Sequence, residues 1–380
     1  MKSISLQLKV ALFIVFLFGV YFLTYGSNAK VSFKLGDGMS VTNADSTMAF
    51  NLTMFNQNRM DVTKRFIKQD KPTLTAQVRA VRIKSIASFL RDKIQLVTQI
   101  GLAPKEIKSG VLMDAYIRYN ATRFFSMQFG QAKLPGNREQ LVSRQNQQFI
   151  ERSPTNALFR LDRDFGFQFQ FKFGKKMLIM PTFSVSTGEG VNYIQTNFQH
   201  LDYSARLEWL PLGKFQNYDY ADFTRNKMPK LALGVVYDFN NRAIYQNGQL
   251  KGNNIADSLQ QNIHTVMADM NFMWNGLNIY GDYIYRTTPK ADTTNAYTKG
   301  HSFFVTTAYT FKKNYEIAFR YNHTFAGKSG NIDKTHDYTF AFTKYFFEHN
   351  LKIQTEYTFN NNLSTTIKKG IWRMQVQIII

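Results

Sequence analysis

Residues 164 to 173 read DFGFQFQFKF. Phenylalanine stands at Phe165, Phe167, Phe169, Phe171 and Phe173, with Gly166, Gln168, Gln170 and Lys172 between. An extended chain sends alternate side chains to opposite faces, so this stretch predicts a strand with one wholly aromatic face and one polar face. Such a strand needs oil on one side and water on the other. A soluble sandwich and a membrane barrel both provide that, and the remainder of the chain decides between them.

The same period of two recurs along the sequence with little helical signal. Leu231, Leu233, Val235, Tyr237 and Phe239 share a face, as do Tyr315, Ile317, Phe319 and Tyr321. About sixteen segments of this kind can be placed, each near the ten residues a tilted membrane strand requires. They fall near 49–58, 73–83, 93–101, 111–120, 124–133, 164–173, 177–186, 203–210, 230–239, 265–274, 277–286, 301–312, 315–323, 337–346, 351–359 and 371–380. In the second, the alternation slips between Arg79 and Arg82, which reads as a bulge.

Connections between these segments alternate in length. Asn275-Gly276, Gly174-Lys175-Lys176, Lys313-Asn314 and Glu348-His349-Asn350 are tight turns. Between them lie the long polar stretches 59–72, 134–163, 187–202, 240–264, 287–300, 324–336 and 360–370, with 211–229 as the exception on the short side. Long loops at one end and tight turns at the other are the membrane-barrel pattern, the short turns being periplasmic. A soluble sandwich has no reason for it. The expected fold is therefore all-β: a transmembrane antiparallel β-barrel of about sixteen strands, with long external loops and short periplasmic turns.

Composition agrees. The chain carries 35 Phe and 20 Tyr in 380 residues, a load suited to interfacial aromatic girdles. A mean hydropathy of -0.31 excludes a bundle of membrane helices. With no Cys there is neither a disulfide framework nor thiolate chemistry. The one continuous apolar run is Val10 to Gly26, flanked by Lys2 and Lys9 and followed by the small residues Ser27-Asn28-Ala29, which predicts a signal peptide over 1–29 and a single barrel domain over 30–380. The expected location is the bacterial outer membrane. Removing Lys2 and Lys9 takes the formal charge from +21 to +19. No basic helix or basic run accompanies that charge, which argues against nucleic acid and for outer-membrane lipid, lipopolysaccharide and small anionic solutes as partners.

Several motifs together resemble the phosphate-selective porin O and P family: Gly130-Gln131-Ala132-Lys133-Leu134-Pro135-Gly136-Asn137-Arg138, Glu151-Arg152-Ser153, Arg163-Asp164-Phe165-Gly166, Ser186-Thr187-Gly188-Glu189-Gly190, Leu207-Glu208-Trp209-Leu210-Pro211-Leu212-Gly213 and Lys344-Tyr345-Phe346. The resemblance runs in order over nearly the whole chain after residue 30. It implies a sixteen-stranded outer-membrane channel, often a homotrimer, that passes small anions. The matched motifs are strand ends and loops, so no phosphate site carries over residue by residue.

Strand parity assigns Arg118, Lys172, Arg206, Arg286, Arg320, Lys352 and Arg373 to the lumen, and also Asp114, Glu208, Asp238, Asp269, Asp282, Glu316 and Glu356. That wall is balanced in charge. Arg118, Lys172, Arg206 and Arg320 are its basic candidates. A source of anion preference is then expected in the connection 134–163, the longest, which follows Lys133 and carries Arg138, Arg144, Arg152, Arg160 and Arg163 against Glu139, Glu151 and Asp162. Guanidinium groups suit oxyanions because they donate parallel hydrogen bonds in a fixed plane. The histidines lack ligand spacing, and no cofactor or metal is expected. The reading is a passive porin and not an enzyme. Its alternatives are a structural or assembly barrel, or a barrel hydrolase whose Ser, His and acid would meet only in space.

Overall fold

The computed structural model describes residues 29–193, 200–215, 219–289, 296–325 and 332–380. The expected leader, apart from Ala29, lies outside them. Eighteen strands form one antiparallel sheet. They are β1 (Lys30–Lys34), β2 (Gly38–Thr42), β3 (Met48–Arg65), β4 (Thr73–Phe89), β5 (Ile94–Gly101), β6 (Leu112–Tyr119), β7 (Phe125–Lys133), β8 (Arg163–Phe171) and β9 (Leu178–Ser186), followed by β10 (Asp202–Leu210), β11 (Lys230–Ala243), β12 (Gln261–Trp274), β13 (Leu277–Thr287), β14 (Gly300–Thr310), β15 (Tyr315–Thr324), β16 (Thr335–Phe347), β17 (Leu351–Asn362) and β18 (Lys368–Ile379). From β3 onward each strand pairs with the next, and β18 returns to β3 through Lys369↔Arg65 to Ile379↔Phe55. Leaving aside β1 and β2, this is a closed barrel of sixteen strands. Closure leaves no unpaired sheet edge, which is the condition for putting a sheet into hydrocarbon.

Every expected strand is present, and the alternation has the expected sense. Phe165 and Phe167 stand exposed on the outer wall, where Phe129 of β7 packs against Phe167 at 4.4 Å between ring centroids. Gln168 and Gln170 line the interior. At the Asn275-Gly276 turn both residues have positive φ (48° and 91°), the type I′ geometry whose twist matches the strands it joins. Tight turns and long connections alternate as the sequence predicts, which sets the external end at the long loops.

The slip between Arg79 and Arg82 is a bulge. Asn58 pairs with Val78 but Gln57 pairs with Ala80, so Arg79 is the extra residue. Two residues separated by three would ordinarily face opposite ways; the bulge turns Arg79, Arg82 and Lys84 all inward.

One element was not anticipated. Lys30–Lys34 and Gly38–Thr42 form a hairpin that pairs with the start of β3, Met39↔Leu52 to Thr42↔Ala49, just below the point where β18 ends. Two five-residue strands carry too short an alternation to be separated from a leading segment by pattern alone.

Candidate channel and its lining

The connection between β7 and β8 folds inward. It contains the short helices α2 (Arg138–Leu141) and α3 (Pro154–Phe159), the latter capped by Ser153, whose Oγ accepts from the Asn156 amide at 3.0 Å. (Helix α1, Pro104–Ser109, lies in the β5–β6 loop.) Its backbone is fastened to the wall formed by β12 to β18. The amides of Arg138, Ile150 and Thr155 donate to Asp269, Glu356 and Asn322. The carbonyls of Gln147, Gln148, Glu151 and Phe159 accept from Lys352, Gln354, Arg320 and Arg286. Wall carboxylates that looked like half of a balanced lumen are thus engaged in holding the loop.

A second segment enters from the opposite end. The long periplasmic connection between β10 and β11 places Tyr220 fully buried against Tyr280, with ring centroids 3.8 Å apart. Gln148 Nε2 of the external loop donates to the Tyr220 carbonyl at 3.2 Å, so the two segments meet inside the barrel. Asp222 accepts from the Gly276 amide at 2.8 Å, and Arg225 donates to the carbonyls of Thr310 and Asn275 at 2.6 and 2.7 Å. Together these segments fill the half of the lumen beside β12 to β17.

The open half is a cavity of about 920 Å³ against β4 to β10. Its wall carries Arg79, Arg82 and Lys84 from β4, Lys105 from α1, Arg118 from β6, and Lys133 and Arg163 from the ends of β7 and β8. The inward loop adds Arg144, Arg152 and Arg160, and β10 adds Arg206. Against these eleven cations stand five carboxylates: Glu106, Asp114, Glu151, Asp162 and Glu208.

All five carboxylates are engaged by guanidinium groups. Glu106 pairs with Arg82 at 2.6 Å, Asp114 with Arg163 at 2.8 Å, Asp162 with Arg160 at 3.0 Å and Glu208 with Arg138 at 3.0 Å. Glu151 is ringed by Arg59, Arg79 and Arg144. Burial alone would raise the Glu151 carboxyl, yet Arg144, Arg79 and Arg59 hold it well below the usual carboxylate range.

Four cations are left over. Among the described residues, no carboxylate lies within salt-bridge reach of Lys84, Arg118, Lys133 or Arg152. Arg118 donates to the Gln128 amide oxygen at 2.8 Å, Lys133 to the Gln140 carbonyl at 2.7 Å, and Arg152 to the carbonyls of Glu139 and Val142 at 2.9 Å. These acceptors carry no formal charge of their own. Burial lowers Arg152 to about 10, so it stays charged at neutral pH.

The residues singled out from the sequence therefore part company. Lys133, Arg144, Arg152, Arg160, Arg163, Arg118 and Arg206 reach the cavity. Arg138 does not: it is 1% exposed, held by Glu208 and lying over the rings of Phe215 and Tyr220. Arg320 lies under the loop, 4.3 Å over the Phe149 ring. Arg206 forks onto Asp269 at 2.6 and 2.9 Å. Lys172 sits in the periplasmic turn beyond β8, where it interacts with Lys214. Parity missed the β4 group because a bulge breaks parity, and the broken alternation between Arg79 and Arg82 was its only signal.

No family model matches this sequence, and no curated protein does. Among solved structures, the outer membrane channel DcaP of Acinetobacter baumannii is similar with a TM-score of 0.57 over 89% of this chain and 99% of that one, at 12% identity. The anion-selective porin from Comamonas acidovorans gives 0.56 over 88% and 100%, at 7% identity. OprB of Pseudomonas putida gives 0.55 over 88% and 95%, at 9% identity. The fold is that of the outer-membrane porins. At this identity the barrel is shared and the lining is this chain's own, so its charges are argued from its own residues.

Proposed function

We propose that the protein is a passive outer-membrane channel for small anions, with phosphate-like oxyanions as the favoured class. The observation that carries this is the lining: eleven cations against five carboxylates, with every carboxylate already paired. Fixed positive charge beside a narrow aqueous path raises the local concentration of anions and opposes cations. The resemblance of Lys133 to Arg138, Glu151 to Ser153 and Arg163 to Gly166 to phosphate-selective porins supports the same reading, as does the fold shared with a porin described as anion-selective.

Reversal potentials in planar bilayers under a salt gradient test it. The wild-type channel should favour anions, and replacing Lys84, Arg118, Lys133 and Arg152 together by Gln should move the reversal potential toward cations. Phosphate should block chloride current in the wild type. An unchanged potential in the folded variant sinks the assignment of selectivity to these four. The two segments that fill half the lumen favour one other reading, a structural barrel that conducts nothing, and an absence of current steps in any salt would establish it.

For assembly we place the contact of a homotrimer on the arc around β3 and β4. Outward positions there carry Met54, Met60, Val78 and Ile83 in place of the aromatic residues found on β8, and Asn58 and Asn56 bond to each other at 2.7 Å. Amides are costly against lipid, and a neighbouring subunit removes that cost. The chain has no cysteine, so Asn58→Cys should cross-link between subunits in native membranes; a monomeric product under oxidation excludes this face.

A further inference from the structure

Four of the six histidines stand on one outward arc at the external end of the barrel. His264 is near the start of β12, His301 near the start of β14, His323 near the end of β15 and His336 near the start of β16. Their neighbours Ile263, Thr265, Ser302, Asn322 and Asp337 are buried toward the interior, so the four imidazoles lie on the outer face, His323 itself being covered by Phe303, Phe325 and His336. Register links them across the strands: His264↔Thr287, Tyr285↔His301, Phe303↔His323 and His323↔His336. They occupy the level of an interfacial girdle, where Tyr and Trp are the usual residues.

The rings are held in defined orientations. The hydroxyls of Tyr237 and Tyr321 meet Nδ1 of His264 and His336 at 2.7 Å, and that of Tyr283 meets Nδ1 of His301 at 3.2 Å. His301 stacks on Phe325 at 4.0 Å, and His323 and His336 have centroids 4.2 Å apart. In the neutral ring, a phenol donating to Nδ1 puts the proton on Nε2. His323 differs: its Nδ1 faces the Thr335 carbonyl at 3.2 Å, which fixes Nδ1–H and makes Nε2 an acceptor until the ring is protonated. Among the described residues no hydrogen bond reaches Nε2 of any of the four.

We infer that this arc binds the phosphate groups of the anionic glycolipid in the outer leaflet, and does so more tightly as pH falls. The place is set by height, since the arc lies at the junction of the apolar wall and the external loops, where lipid headgroups sit. The chemistry is set by the Nε2 atoms of His264, His301 and His336, which no hydrogen bond occupies among the described residues and which become charge-assisted donors in the imidazolium form. Charged groups on the adjoining elements are Arg242 at the end of β11, Lys299 before β14, and Lys334 before β16 beside Asp333, which already accepts from Asn362 Nδ2 at 2.8 Å. Asp257, before β12, likewise accepts from Gln260 Nε2 at 2.9 Å. The surface stands whether or not the lumen conducts.

The test uses the full barrel in detergent with bisphosphorylated lipid A, dephosphorylated lipid A and phosphatidylglycerol, scored by native mass spectrometry and by thermal shift. Retention of the bisphosphorylated lipid should rise about tenfold between pH 8 and pH 6, as charge-assisted bonds form to protonated imidazoles. The dephosphorylated lipid should show no such rise, and phosphatidylglycerol a smaller one. A His264→Gln, His301→Gln, His336→Gln triple variant should lose the rise while keeping its channel current and its folded circular dichroism. Should the triple variant fail to fold, His301→Gln alone should reduce the rise. Equal retention of the phosphorylated and dephosphorylated lipids, a pH-independent affinity, or an intact rise in the folded variant would each overturn the inference.

Discussion

Gly234 shows how a single residue sets the arrangement of the lumen. A Cβ placed on it would collide with a guanidinium nitrogen of Arg206 and with both carboxylate oxygens of Asp269. The absent side chain is the space in which that ion pair forms, and Asp269 is also the acceptor for the Arg138 amide of the inward loop. Gly234→Ala should therefore destabilise the barrel by about 1–3 kcal/mol in a urea titration, by overpacking a buried, rigid contact. On the outer wall the sign of a substitution depends on parity. Phe167→Arg puts a cation into lipid and should cost about 2–4 kcal/mol, whereas Gln168→Arg adds one to an aqueous wall and should cost much less. Equal losses in a refolding titration would contradict the placement of the two faces. This much was legible in DFGFQFQFKF, because a period of two needs no tertiary information.

At the level of elements, strands and turns could be read from the sequence, and the length of 134–163 marked it as a loop able to fold inward, but the contacts that seat it could not be read. Alternation and turn chemistry are local, so β3 to β18 and the Asn275-Gly276 hairpin followed from pattern. Where the β7–β8 connection goes depends on acceptors such as Glu356 and donors such as Lys352, some two hundred residues away, and no local signal encodes that meeting. The periplasmic segment between β10 and β11 was visible only as a connection too long for its side of the barrel. Its packing makes it responsive to pH. Asp219 is buried near Glu348, and burial, with that neighbour's charge, raises its pKa from the ordinary 3.8 to about 7. An acid whose folded pKa is raised stabilises the folded form while protonated, so its contribution is complete below the ordinary value and is lost as pH rises through about 7. Hydrogen exchange at residues 219–226, corrected for intrinsic rates, should be more protected at about pH 6 than at about pH 8, and Asp219→Asn should abolish the difference. Equal pH sensitivity in the Asn variant would assign the effect to another group.

For the whole molecule, the sixteen-stranded wall does not by itself determine the size of the path. The two segments occupy the side of the enclosed space along β12 to β17, and the open cavity lies off-centre against β4 to β10. Unit conductance should then fall below that of an unfilled barrel of the same strand number, and deleting residues 144–152 should raise it if the barrel still assembles. Orientation has its own check. Lys313→Cys supplies a unique thiol in the exposed tight turn between β14 and β15, and a membrane-impermeant reagent should label it in permeabilised cells only. Labelling in intact cells would invert the topology.

The inward loop is fastened to its wall largely by main-chain atoms, through the amides of Arg138, Ile150 and Thr155 and the carbonyls of Gln147, Gln148, Glu151 and Phe159. Main-chain atoms are present whatever the side chain. That part of the mounting is indifferent to side-chain identity, whereas Asn137, Arg138, Gln148 and Thr155 add side-chain anchors, so exchange is easiest at side chains that face the cavity. Arg144 and Arg152 face the cavity, and neither supplies a main-chain anchor to the wall. A lineage, or an engineer, could retune what the barrel admits by substituting there, without paying again for closure of the sheet.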